Sequence, residues 1–307
     1  MAASPFTVIA SDKPAPAPSA RRTPPRGMMV DIEGGRRLRA MVEGEPAPDR
    51  PLVVYEAGAF GTAADFAAVQ AALSPRVRTL AYDRAGLGYS DPGPEPRDSL
   101  AIAEDLKALL DALGETGPLV LVGHSMAAVH VQTFALTWPD RVKGVVLIDA
   151  IPAEALVRPA VIRLVKASGR LADTARVGSR WMLTALAAPL MGDAVGLSGP
   201  AHAEKLHAFA SPGHNHWSAA ELALWLEDGA QARKLGEFDR ELPLAVVTAG
   251  RSRPWWKRMQ AEPAHRSRSG YAENIPGAGH ASLLGPKHCD AVVRAIHYVL
   301  KAALASR

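Results

Sequence analysis

Short runs of consecutive apolar residues recur along this chain, with stretches of helical periodicity between them. Leu52-Val53-Val54-Tyr55, Leu119-Val120-Leu121-Val122, Val145-Val146-Leu147-Ile148 and Leu244-Ala245-Val246-Val247-Thr248 are apolar at successive rather than alternate positions. That is the pattern of strands buried on both faces of a parallel sheet. Val77 to Tyr82 and the surroundings of Tyr271 supply two further strands, and Met28 to Glu33 with Leu38 to Glu43 flank Gly34-Gly35 as a short antiparallel hairpin. Leu100, Ala103, Leu106, Leu110 and Leu113 recur at helical spacing and stop at Gly114. Met126 to Trp138 lacks Gly and Pro, is apolar nearly all round and ends before Pro139, as a buried helix does. Val292, Ile296, Val299 and Ala303 mark a terminal helix. Strand, helix and strand alternate, which predicts an α/β domain with right-handed crossovers.

Between Pro152 and Leu242 the strand pattern is interrupted. Ala155 to Leu171 places Leu156, Ala160, Leu164 and Leu171 on one side of a helix and Arg163, Lys166 and Arg170 on another. Ser218-x-x-Glu221 has the form of a capping box opening a helix with Leu222 and Trp225. Residues 1–26 are rich in Ala, Pro and Ser, and their longest apolar run, Phe6 to Ala10, is shorter than the apolar segment of a secretory signal. Arg21-Arg22 is followed by Thr-Pro-Pro rather than an apolar stretch, and no window approaches a membrane span of ~18 apolar residues. The expectation is a flexible amino-terminal tail on a cytoplasmic protein without stable membrane insertion.

Composition narrows this only slightly. A chain of 307 residues that is 48% hydrophobic has enough apolar surface for one large core. Its 35 basic and 31 acidic residues are interspersed, so the net charge of +4 is no nucleic-acid footprint. Cys289 is the single cysteine, which excludes an intrachain disulfide and a cysteine-based metal cluster.

The chemistry concentrates where strands end. Gly123-His124-Ser125-Met126-Ala127 joins a buried strand to a buried helix. A reversal that sharp needs small residues two positions either side of its apex, as Gly123 and Ala127 are, and it leaves the apical serine exposed beside the first helical amides. The stretch resembles the nucleophile elbow of the α/β-hydrolase superfamily, with Ala127 in place of the last glycine. Three other loops extend the resemblance over residues 27 to 304. Glu56-Ala57-Gly58-Ala59-Phe60-Gly61 is similar to the family's His-Gly-x-x-Gly oxyanion loop, with Ala57 where histidine is commoner. Asp83-Arg84-Ala85-Gly86-Leu87-Gly88-Tyr89-Ser90-Asp91 resembles its D-R-x-G-x-G-x-S-D turn, in which Asp83 and Arg84 have a structural part. Gly277-Ala278-Gly279-His280 resembles its histidine loop.

A serine hydroxyl is a poor nucleophile at neutral pH, so it needs a histidine to take its proton and a carboxylate to hold that imidazole. Of ten histidines, His280 has the place and chain order that the resemblance implies. His124 flanks the serine and is expected to project away from it, His130 lies in the buried helix, and His214 and His216 fall in the inserted region. The acid departs from the commonest pattern. Most relatives carry it just beyond the strand ending at Gly250, where this chain reads Arg251-Ser252-Arg253-Pro254, with no carboxylate before Glu262. Asp149, at the end of the strand next to the nucleophile strand, is the replacement, and Glu56 is the reserve. The basic segment Arg251 to Arg268 either meets an anionic substrate at the pocket mouth or is a solvated loop.

The resemblance implies an α/β-hydrolase fold: an eight-stranded, mostly parallel sheet with an antiparallel edge strand, flanked by helices. It divides the chain into a core of residues 27–152 and 239–307 and a helical cap over 153–238, with Trp181, Met182, Leu183, Leu186 and Trp217 available to roof an apolar pocket. It implies a serine hydrolase acting on a small, apolar ester, lactone or thioester-like carbonyl through an acyl-enzyme. Ser125, His280 and Asp149 would form the triad and the Ala59 and Met126 amides the oxyanion hole, with no metal or organic cofactor. Two alternatives stay open: hydrolysis of a carbon–carbon bond in a diketone-like substrate on the same triad, and a non-catalytic ligand-binding member of the fold.

Overall fold

The computed structural model describes residues 24, 26–47, 50–180, 183–184 and 194–305. One eight-stranded sheet organises them: β1 (Met28–Ile32), β2 (Arg36–Glu43), β3 (Leu52–Glu56), β4 (Thr79–Tyr82), β5 (Leu119–His124), β6 (Val142–Ile148), β7 (Leu244–Ala249) and β8 (Gly270–Ile275). The order across it is β1-β2-β4-β3-β5-β6-β7-β8. β2 pairs antiparallel with both β1 and β4, and every pair from β4 to β8 is parallel. The expected fold class is therefore the observed one. Its labelled helices are α1 (Ala67–Leu73), α2 (Ser99–Ala112), α3 (Ala127–Thr137), α4 (Pro159–Arg180), α5 (Gly199–Ala210), α6 (Pro212–Leu235), α7 (Pro254–Arg266) and α8 (Cys289–Ala305).

The central strands lack a polar face because helices cover both sides. Val53, Tyr55, Val120, Val122, Val146 and Ile148 pack with Val69 and Leu73 of α1 and Val292, Ile296 and Val299 of α8. Their chain neighbours Leu52, Val54, Leu119, Leu121, Val145 and Leu147 pack on the opposite side with Leu106, Leu109 and Leu110 of α2 and Val131 and Phe134 of α3. Alternation of side chains along a strand thus feeds two cores at once. Truncating one of these side chains, as in Leu121→Ala, costs about 2–5 kcal/mol.

α4, α5 and α6 lie between β6 and β7, in the interrupted region. Val161, Val165 and Ala172 of α4 join Leu222 and Trp225 of α6 in a third apolar cluster, which continues onto Met126 and Val129 at the start of α3. Two local expectations are corrected here. Leu156 is buried, but Leu164 and Leu171 are 45% and 71% exposed, because α4 begins at Pro159 and sets its own phase. The second is the helix start: α6 opens at Ser211, whose hydroxyl accepts from the His214 amide, with Pro212 in the first turn. Ser218 and Glu221 are buried mid-helix, so their spacing is not a cap.

Buried ion pairs cross between the sheet and these helices. Arg39 on β2, with no exposed surface, meets Glu204 of α5 at 2.7 Å and Asp83 at 3.3 Å. Glu204 also holds Arg26 at 2.7 Å. Of the expected amino-terminal tail, residues 1–23 and 25 lie outside the described residues.

Candidate active site

Three loops at the carboxyl ends of β3, β5 and β6 meet at one rim of the sheet. At the β5–α3 turn Ser125 has φ +59°, a left-handed conformation that the tight reversal imposes on a non-glycine residue. The turn closes because Gly123 has no side chain, since a Cβ there would come within 2.8 Å of Val131 Cγ2. Ala127 is fully buried and takes the place of the second glycine. The oxyanion-loop candidate packs directly on the elbow, where a Cβ at Gly58 would lie 2.9 Å from Ser125 Cβ. Among the described residues, the Ala59 and Met126 amides donate to no protein acceptor.

Asp149 follows β6 with φ +42° and is 3% exposed. Its Oδ2 lies 2.6 Å from His280 Nδ1, and its Oδ1 accepts from the Ala249 amide at 3.0 Å. The end of β7 thus contributes an amide that fixes the Asp149 carboxylate from the neighbouring strand. Burial opposes charge on Asp149, but the His280 hydrogen bond and charge, with the Ala249 amide, outweigh it and hold the carboxyl below its ordinary value. A carboxylate only accepts, so His280 Nδ1 donates to Asp149 Oδ2, and Nε2 is the ring nitrogen left for a proton transfer.

Ser125 and His280 line one cavity of about 260 Å³. No hydrogen bond joins them among the described residues; such contacts are often loose without substrate and tighten in the complex. His124 does not turn away as expected. It lines the same cavity, its ring centroid 4.5 Å from that of His280 and its Nε2 3.3 Å from the His280 carbonyl. Burial first, then the nearby His280 ring, depresses it to about 3, so His124 is neutral at physiological pH. His130 and His214 are buried and do not line this cavity.

Residues 52–295 match the sequence profile of the Alpha/beta hydrolase family. The chain belongs to that family. It is 37% identical over 121 residues to the "Probable transporter efuK" of Hormonema carpetanum and 35% identical over 102 residues to 2-(acetamidomethylene)succinate hydrolase of Mesorhizobium japonicum. These matches take in 38% and 33% of this chain but only 17% and 36% of the two relatives, so the chain spans well under half their length. A thermophilic esterase from Thermogutta terrifontis shares the fold, with a TM-score of 0.65 at 21% identity over 90% of this chain and 98% of that one.

Around this hydrolase-family rim, the reserve acid Glu56 is engaged elsewhere. Arg84 Nη1 lies 2.8 Å from it and the Tyr82 hydroxyl donates to it, so it is no partner of His280. Arg84 is buried, pairs with Glu221 of α6 at 2.7 Å, and donates to the Ala57 carbonyl and, at 3.0 Å, to the Gly58 carbonyl. Asp83 accepts from the Ala63 and Tyr89 amides at 2.8 and 3.0 Å, which ties the turn together. The cavity roof comes from α5, where Leu206, Phe209 and Lys205 line it. Of the residues expected there, Trp181, Met182 and Leu186 lie outside the described residues, Leu183 is 57% exposed, and Trp217 is buried against Gly86 instead. The basic segment after Gly250 folds as α7, and Arg253, Lys257 and Arg258 do not line the cavity. Among the described residues, Lys205 is a cation that does line the cavity, and its Nζ lies 2.8 Å from Asp65 Oδ2 and 3.0 Å from the Phe60 carbonyl. Among the described residues, no helix is long and apolar enough to cross a membrane, and no cluster of His, Cys, Asp and Glu could hold a metal ion.

Proposed function

We propose that the chain is a serine hydrolase acting on a small, largely apolar carboxylic ester or similar carbonyl. The contact that carries this reading is Asp149 Oδ2 to His280 Nδ1, 2.6 Å long, on the cavity that also exposes Ser125 at a left-handed apex. In the reaction, Ser125 Oγ attacks the carbonyl carbon while its proton passes to His280 Nε2, and Asp149 stabilises the resulting imidazolium. The tetrahedral oxyanion rests on the Ala59 and Met126 amides. Collapse breaks the bond to the leaving alkoxide, which takes the proton from His280. Water then repeats the sequence on the acyl-enzyme and releases the acid.

The cavity supports the substrate class. Leu206, Phe209 and Leu284 give it an apolar part, and its volume of about 260 Å³ suits a small molecule. Fluorophosphonate labelling with peptide mapping tests the nucleophile: the probe is expected on Ser125 and lost in folded Ser125→Ala. A panel of p-nitrophenyl esters and lactones tests the substrate. Failure of well-folded wild type both to label and to turn over any ester would overturn the proposal.

A further inference from the structure

We infer that Glu221 and Lys205 of α6 and α5 are positioning residues that aim the oxyanion amide, so that seating these helices on the sheet completes the site. The inference rests on the serine-hydrolase reading above. It begins with the geometry of one tight turn. The Gly61 amide donates to the Gly58 carbonyl at 3.1 Å, closing Gly58-Ala59-Phe60-Gly61. Phe60, third in that turn, has φ +55°, where the type II turn ordinarily takes glycine. A phenylalanine there is strained, so something must hold it.

Two cations do, one at each end of the turn. The Gly58 carbonyl and the Ala59 N–H belong to one planar trans peptide and point in opposite directions. Whatever fixes the carbonyl therefore fixes the amide. Arg84 Nη2 holds that carbonyl at 3.0 Å and polarises the peptide toward a stronger N–H donor. Arg84 is itself fixed by Glu221, whose two carboxylate oxygens each accept from its Nε at 3.1 Å. At the other end Lys205 Nζ holds the Phe60 carbonyl at 3.0 Å, and Asp65 Oδ2, which also accepts from the Thr62 amide, holds Lys205 at 2.8 Å.

The two ion pairs run in opposite directions across the same seam. Arg84, beside Glu56 of β3, takes a second carboxylate from α6, and Lys205 of α5 takes its carboxylate from the loop after β3. The side chains are 2% and 1% exposed in the first pair and 13% and 7% in the second. Lifting α5 and α6 would part Arg84 from Glu221, leaving it Glu56 at 2.8 Å, part Lys205 from Asp65, and release Phe60 from the carbonyl contact that holds its strained backbone. Neither Glu221 nor Lys205 has to touch the reacting atoms for this to govern the rate.

The test compares wild type with Glu221→Gln, Lys205→Met and the double variant Lys205→Met/Phe60→Gly. It reads fluorophosphonate labelling rates at Ser125, kcat and KM on p-nitrophenyl butyrate, and the acidic limb of the pH profile, with circular dichroism as the check on folding. Complete loss of an oxyanion donor costs about 10²–10³ in rate, so a misdirected one is expected to cost about 10- to 100-fold in kcat and in labelling. In Glu221→Gln, at a position that does not line the cavity, KM should stay within about twofold and the acidic limb unmoved, because the Asp149–His280 pair is untouched. Phe60→Gly should recover most of the loss in Lys205→Met, since glycine adopts positive φ unaided. Wild-type labelling rates in both folded single variants, a loss confined to KM, or no recovery in the double variant would overturn the inference. If wild type itself neither labels nor turns over an ester, the hydrolase reading falls, and this inference with it.

Discussion

A buried carboxylate outside the cavity gives the structure's most quantitative prediction. Asp228 of α6 has no exposed surface; its Oδ1 accepts from the Ser99 amide at 2.9 Å, and its Oδ2 has no partner among the described residues. Burial raises its carboxyl, the Ser99 amide pulls it back and Asp98 adds to the rise, leaving it at about 8. In the unfolded chain an aspartate titrates near 3.9. Between those values the unfolded state releases a proton that the folded state keeps, so stability falls as pH rises and the loss is complete above about pH 8. With 1.36 kcal/mol for each unit, the fall from pH 5 to pH 8 attributable to this group is about 3–4 kcal/mol. Asp228→Asn abolishes it. Urea unfolding followed by tryptophan fluorescence at pH 5, 6.5 and 8 should show wild type losing that much more than the variant. The other titrating groups are common to both proteins and cancel in the comparison. Among them His130, which burial pushes well below its usual range, acts in the opposite sense by destabilising in acid. Parallel pH dependences for the two proteins would refute the argument and mean that Asp228 is charged in the folded state.

Other expectations are read more directly. Asp149→Asn should lower kcat on p-nitrophenyl butyrate by about 10⁴-fold, as loss of a histidine-orienting carboxylate does, whereas Glu56→Gln should cost far less; comparable losses would contradict the assignment. Gly58→Ala places a Cβ 2.9 Å from Ser125 Cβ and 3.1 Å from His124 Nδ1, and should slow fluorophosphonate labelling by about 10²-fold without unfolding the protein. Glu204→Gln deprives fully buried Arg39 of its nearer carboxylate while Asp83 remains at 3.3 Å. It should cost about 3 kcal/mol in urea unfolding. Breaking the exposed Arg268–Glu241 pair should cost under about 1 kcal/mol.

Features of the site that depend on short-range chemistry were legible in the sequence. The central strands announce themselves because helices on both faces leave no polar alternation, and the turns do so because Gly58 and Gly123 each stand where a Cβ would collide. Contacts between distant segments leave no such mark. Nothing in the spacing of α5 tells Lys205 to find the Phe60 carbonyl, and Glu221 sits in what reads as a capping box until Ser211 proves to start the helix two turns earlier. The position of His124 had a usable signal. Along β5 it has the parity of Val120 and Val122, which face α1 and α8, and His280 lies in the loop leading into α8. Alternation along the strand therefore puts the two rings on the same side.

The strain at the rim is harder to read, because none of the residues that bear it is glycine. Among the described residues, the non-glycine residues with positive φ are Phe60, Ser125 and Asp149, at the carboxyl ends of β3, β5 and β6. Each is held by a bond from outside its own loop. Lys205 binds the Phe60 carbonyl, the Ser125 amide donates to the Ile148 carbonyl at 3.0 Å, and the Asp149 amide donates to the Val247 carbonyl at 2.7 Å. The last two bonds extend the parallel ladder past the strand ends, so the sheet itself enforces two of the three unfavourable conformations. The third has no such ladder bond: its turn is held by Lys205 of α5 at the Phe60 carbonyl and by Arg84 at the Gly58 carbonyl. Of these three strained positions Phe60 is thus the one that no ladder bond holds, and the one through which movement of these helices would reach the proposed oxyanion amide.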